Sequence, residues 1–130
     1  MGKDELFESF YNPAGFVEMH FFGEQTPDSV IAAITELVDW SKKLNSKKQR
    51  VLILADVTDV SKIDISGKMA PARRVAVKAM TSAKYDRIAI YGNIAVQIMV
   101  NTLVLIAGKR KQIRVFSDRL EALRWLKGEY

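Results

Sequence analysis

Apolar residues along this chain of 130 residues repeat with two different periods. Glu5–Tyr11 and Gly15–Phe22 are short and rich in aromatics. Asn12-Pro13-Ala14-Gly15 lies between them as a turn signal, so the pair predicts a β-hairpin. In the second strand Val17, Met19 and Phe21 share one face, because side chains alternate along a strand. Phe16, Glu18, His20 and Phe22 take the other face, whose mixture of apolar and charged groups predicts partial exposure. Val51-Leu52-Ile53-Leu54-Ala55 has no alternation, which is how a strand covered on both faces reads. Asp86–Tyr91 and Gln112–Phe116 predict two further strands.

Helical spacing fills the intervals. Thr26-Pro27-Asp28 opens a helix with a capping residue, a proline suited to the first position and an acid at the positive end of the dipole. Val30, Ile34, Leu37, Val38 and Leu44 then follow at helical spacing. Met69–Met80 predicts a second helix, with Val75, Ala76, Ala79 and Met80 as its apolar stripe and Lys68, Arg73, Arg74 and Lys78 as a basic one. Ile94–Ala107 predicts a third, stopped by Gly108. Ser117-Asp118 caps a fourth, packed by Leu120, Leu123, Trp125 and Leu126 and ended by Gly128, with Asp118 and Glu121 at capping-box spacing. The order β-β-α-β-α-β-α-β-α requires an α/β fold: a mainly parallel sheet of about five strands, an N-terminal antiparallel edge hairpin and about four helices. One domain over residues 1–130 is expected at this length.

Composition narrows the function classes. With no cysteine, disulfides, thiolate metal sites and cysteine nucleophiles are excluded, and a single histidine excludes a histidine-rich metal site. No basic-then-apolar leader opens the chain, and the longest apolar stretch, Ile94–Ala107, falls short of the roughly 20 residues a spanning helix needs. A soluble, cytoplasmic protein without a transmembrane segment is expected. The net charge of +5 is uneven: residues 1–50 carry six Lys/Arg against eight Asp/Glu, residues 51–130 fourteen against seven. Only Lys109-Arg110-Lys111 is contiguous, and it follows a helix end where cations complement the dipole. No groove-reading motif accompanies it, so no nucleic acid partner is expected.

The stretch Val51–Gly67 organises the rest. Its apolar strand is followed by what reads as a loop holding Asp56, Asp59 and Asp64, then Ser66-Gly67 and a helix. The carboxyl edge of such a strand is where open α/β sheets bind ligands and partners. Asp56-Val57-Thr58, Val60-Ser61 and Ile63-Asp64-Ile65-Ser66-Gly67, with Val115-Phe116-Ser117-Asp118 and the helix after it, resemble the STAS domain family and its SpoIIAA-like branch of anti-sigma factor antagonists. The resemblance covers nearly the whole chain. It implies a non-enzymatic regulatory module working by protein contact, with a partner such as an anti-sigma-type kinase and Ser66 as the phosphorylated serine. It also implies a partner-binding loop of Asp56, Thr58, Asp64, Ser66, Gly67 and Lys68. Ile65 replaces a small polar residue of the antagonists' turn. Pro71 predicts a helix that starts late or kinks.

Other residues offer candidate chemistry. Asp56, Asp59 and Asp64 are oxygen donors of the kind Mg²⁺ takes, but aspartates in turns explain them better and no metal or other cofactor is expected. A receiver domain is disfavoured by the opening hairpin and by Phe116-Ser117 after the last strand. His20 has a suitable pKa for a general base, but no nucleophile lies near it in sequence, so catalytic residues are not expected. Gly92-Asn93 before a helix is a weak phosphate-site signal. In the third helix only Gln97, Asn101 and Thr102 interrupt the apolar surface, although a helix on a sheet needs one apolar face. Ile94, Ile98, Met99, Leu103 and Ile106 are therefore expected to form an interface, most simply with a second copy, or else the wall of a groove for a lipid or other apolar ligand.

Overall fold

A computed structural model of the chain describes residues 6–63 and 67–128. Its elements are β1 (Phe7–Asn12), β2 (Phe16–Gln25), α1 (Pro27–Ser46), β3 (Leu52–Ile63), a 3₁₀ turn (Gly67–Met69), α2 (Ala70–Ser82), β4 (Arg87–Tyr91), α3 (Ile94–Ala107), β5 (Ile113–Phe116) and α4 (Arg119–Leu126). The five strands form one sheet in the order β1-β2-β3-β4-β5. β1 and β2 are antiparallel, and the pairs β2–β3, β3–β4 and β4–β5 are parallel. The predicted fold class and element order therefore hold.

The hairpin turns where Asn12 and Gly15 place it. The Gly15 amide donates to the Asn12 carbonyl at 2.9 Å, with Gly15 at φ 103°, a conformation glycine adopts without strain. Thr26 caps α1 and Ser29 returns the bond, so a serine fills the reciprocal capping role. α2 begins only after the 3₁₀ turn, with Pro71 in its first turn, where a missing N–H does no harm.

Successive right-handed crossovers that advance in one direction leave their helices on one side of a sheet. Here that side holds the larger core, in which Val17, Met19, Ile53, Val57, Val100 and Val104 pack together. α4 returns to the opposite side and packs on β3, β4 and β5. It closes a second core of Phe16, Leu52, Leu54, Phe116, Trp125 and Leu126. Among the described residues nothing comparable covers that side of β1 and β2, where Phe10 is 45 % exposed.

One expectation is corrected. Asp56 and Asp59 do not lie in a loop: β3 continues through them to Ile63. The cause is its partner, since β2 extends to Gln25, which pairs with Ile63. The register slips twice along this ladder, between His20 and Phe22 and between Gly23 and Glu24. Each slip places one extra residue on β3, the signature of a β-bulge. Val57 and Val60 are buried, so this half of the strand is core as well as edge.

Candidate functional site

The polar centre of the molecule lies on the α4 side of the sheet, level with the carboxyl ends of β4 and β5. Glu18 on β2 is 4 % exposed, an unusual place for a carboxylate. Three side chains saturate it. Arg119, the first residue of α4, donates at 2.7 Å to Oε1 and 3.4 Å to Oε2. Asn12 Nδ2 donates to Oε1 at 2.9 Å, and His20 Nε2 lies 3.0 Å from Oε2. Arg119 also donates to the Tyr91 hydroxyl at 3.2 Å. His20 Nδ1 faces Asp56 at 4.0 Å, and the Asp56 carboxylate accepts from the Thr58 amide at 2.9 Å.

The titration of these groups follows from their neighbours. Burial pushes the Glu18 carboxyl up, but the bonds from Arg119, His20 and Asn12 outweigh it and hold it at about 2. Burial likewise opposes ionisation of Asp56, and bonds from Thr58 and Tyr91 bring it below its ordinary value. Tyr91 is raised, first by burial and then by Asp56. Chemically this is an ion-pair clamp that joins the opening hairpin to the last helix. His20 sits between two carboxylates, Glu18 and Asp56, and among the described residues no hydroxyl nucleophile bonds to it.

The bulge in β3 is locked from the other side. Gly92, at φ 122°, passes so close that a Cβ there would lie 2.4 Å from the Thr58 nitrogen. Asn93 caps α3 and donates from Nδ2 to the Val60 carbonyl at 3.0 Å, while Gln97 donates to the Gly92 carbonyl at 2.8 Å. Gly92-Asn93 thus serves close packing. Of the predicted partner loop, Asp56 and Thr58 belong to the strand and bulge, Gly67 and Lys68 to the 3₁₀ turn, and Asp64 and Ser66 lie outside the described residues. Sequence reasoning placed Glu18 on the same face as His20 but missed Arg119 and Tyr91 as partners. The signal available was a carboxylate among Phe16, His20 and Phe22 on a strand whose other face is core.

The predicted face of α3 divides. Ile94, Ile98 and Ile106 are exposed at 71 %, 64 % and 68 %, joined by Leu105 at 60 %. Leu103 is instead buried, and it and Met99 line an apolar cavity. At 100° per residue Leu103 falls beside Val96 and Val100 on the inner side, whereas Ile94, Ile98 and Leu105 fall within one narrow outer stripe. The cavity, of about 170 Å³, lies between the sheet and the crossover helices, with Phe21, Ala33, Val57, Ala76, Met80 and Met99 among its walls. Gln25 reaches it too, but its amide is fully engaged with Leu6, Phe22 and Ser29. Among the described residues no helix is long and apolar enough to cross a membrane, and no three His, Asp or Glu side chains gather as metal ligands.

A mixed five-stranded sheet with three crossover helices on one side is the architecture of a small α/β domain of the STAS type. The SpoIIAA-like family model matches residues 16–127, and the chain belongs to that family. Its domains generally act as regulatory modules of protein interaction. Among solved structures, the chain is similar to an uncharacterised protein of the DUF3478 family from Shewanella loihica PV-4, which has a SpoIIAA-like fold. The two share 16% identity and a TM-score of 0.59, over 92% of this chain and 91% of the other. No curated protein matches the chain.

Proposed function

We propose that the chain is a non-enzymatic binding module that regulates by protein contact, through residues 64–68 and the outer face of α3. The exposed Ile94, Ile98, Leu105 and Ile106 carry this reading. Four large apolar side chains in water on one helix are the composition of an interface centre. Ser66 is the proposed switch: a phosphate there adds about −1.5 to −2 charge to a contact surface that includes Asp64 and Lys68. A second copy of the chain, or an anti-sigma-type kinase, is the proposed occupant. The saturation of Glu18 and the placing of His20 between carboxylates support the non-enzymatic part. Light scattering and capture of co-purifying partners test it. Ile98→Asp is expected to abolish association and Ser66→Asp to change it. If Ser66→Asp leaves every association as it was, the switch is wrong.

The apolar cavity supports a second reading, a carrier or sensor of a lipid or other apolar small molecule. Among the described residues its walls turn no free polar group inward, and such a space is filled by hydrocarbon more readily than by water. Native mass spectrometry of protein incubated with cell lipid extract checks it, and a spectrum of apoprotein alone argues against it.

A further inference from the structure

The free edge of the sheet opposite the hairpin is β5. The Ile88 amide donates to the Gln112 carbonyl at 2.8 Å, and Ile88 pairs with Ile113. In a parallel ladder this register turns the backbone groups of Arg114 and Phe116 toward β4 and those of Val115 outward. The amide and carbonyl of Val115 therefore face away from the sheet. They face a groove of about 1020 Å³ that runs along the strand between α3 and α4. Leu105, Val104 and Val115 line its α3 side, Arg114 and Trp125 its α4 side, and Arg110 and Lys111 one end. It continues past Val115 to Ser117 and Glu121.

We propose that this groove takes an extended, acidic peptide segment of a partner protein, which adds to β5 as a further strand. The outward Val115 groups supply the main-chain bonds by which an added strand is held. The walls read its side chains: those on one face of the added strand meet apolar Leu105 and Val115, those on the other meet Arg114, so apolar and acidic residues alternate. The Arg114 guanidinium already stacks over Phe116 and Trp125, both at 5.7 Å, which fixes it for a carboxylate. Among the described residues lining the groove, Arg110, Lys111 and Arg114 stand against one acid, Glu121. The same cations repel a second β5 edge, so a partner of opposite charge fits and a second copy does not. From Ile113 to Ser117 the extended chain spans roughly 13 Å, so about four residues pair with it and the flanking ones reach Lys111 and Glu121. The groove borders the outer face of α3 at Leu105, but its main-chain donor and its cations lie on β5 and the turn before it, so the inference does not rest on the function proposed above.

The capped peptides Val-Glu-Val-Glu-Val-Glu and Val-Lys-Val-Lys-Val-Lys are the probes, titrated into the ¹⁵N-labelled protein and followed by NMR. The acidic peptide is expected to saturate at or below about 1 mM, to shift and protect the Val115 amide, and to bind about tenfold more tightly than the basic one. Val115→Pro removes the outward donor and is expected to abolish binding. The double variant Lys111→Glu with Arg114→Glu keeps the backbone and is expected to reverse the peptide preference, so the test survives if the proline variant does not fold. No saturation by the acidic peptide, equal binding of both peptides, or shifts confined to other surfaces overturns the inference.

Discussion

At the scale of single residues, Arg119 and Gly92 decide the most. Arg119→Ala leaves Glu18 buried with its strongest partner gone, and breaking such a pair costs about 2–4 kcal/mol. The loss has a pH signature. Folding lowers the Glu18 carboxyl from 4.5 to about 2, so its stabilisation is complete above pH 4.5 and disappears as pH falls through 2. Denaturant titrations are therefore expected to show the gap between wild type and Arg119→Ala widest at neutral pH and closing between pH 4.5 and 2. A gap independent of pH means that Arg119 acts through packing alone. Gly92→Ala meets both a positive φ and the Thr58 backbone at 2.4 Å, and is expected to cost more than about 2 kcal/mol. Gly108→Ala, also at positive φ but with nothing within 4 Å, costs only about 1 kcal/mol. Paired melting curves separate a clash from a conformational preference. The chain pattern carries a signal at Glu18 and at Gly92 but not at their partners: Glu18 and Arg119 lie 101 residues apart.

Among the elements, legibility followed how local the cause was. α3 runs Ile94–Ala107 as its pattern predicts, because Asn93 and Gly108 cap it with their own atoms. β3 is longer than its apolar run, because its second half is held by pairing with β2, a contact that no local pattern encodes. The same limit explains the divided face of α3: periodicity marks it as nearly apolar all round, but only the neighbouring sheet and α2 determine which side is inner. Two substitutions on that one helix give opposite outcomes. Leu103→Ala is expected to lower stability by about 2–5 kcal/mol, since it opens a void in the core. Ile98→Asp is expected to stay within about 0.5 kcal/mol of wild type, since Ile98 is already in water. Thermal melts of the dilute protein check both, and a large loss with Ile98→Asp at low concentration means that the outer face is covered by another chain.

For the molecule as a whole, the placing of three helices on one side of the sheet and one on the other has a mechanical consequence. Each crossover helix leans on its neighbour, α1 on α2 and α2 on α3, and the cavity of about 170 Å³ sits beneath them. Protein interiors are close-packed, so such a void is a deficit of contacts unless something fills it. Ala76, buried on α2, points into that space. Ala76→Leu supplies several methyl-sized groups without demanding a new backbone, and leucine is nearly as good a helix former as alanine. If the cavity is an empty packing defect, the variant gains about 0.5–2 kcal/mol, the usual return of cavity filling. If the cavity holds an apolar ligand, the variant loses it, and an added fluorescent fatty acid that stabilises wild type no longer raises the melting temperature. Melting curves with and without the fatty acid separate the two cases. A destabilised variant that still binds the probe rules out both, since the leucine then has no room and the ligand sits elsewhere.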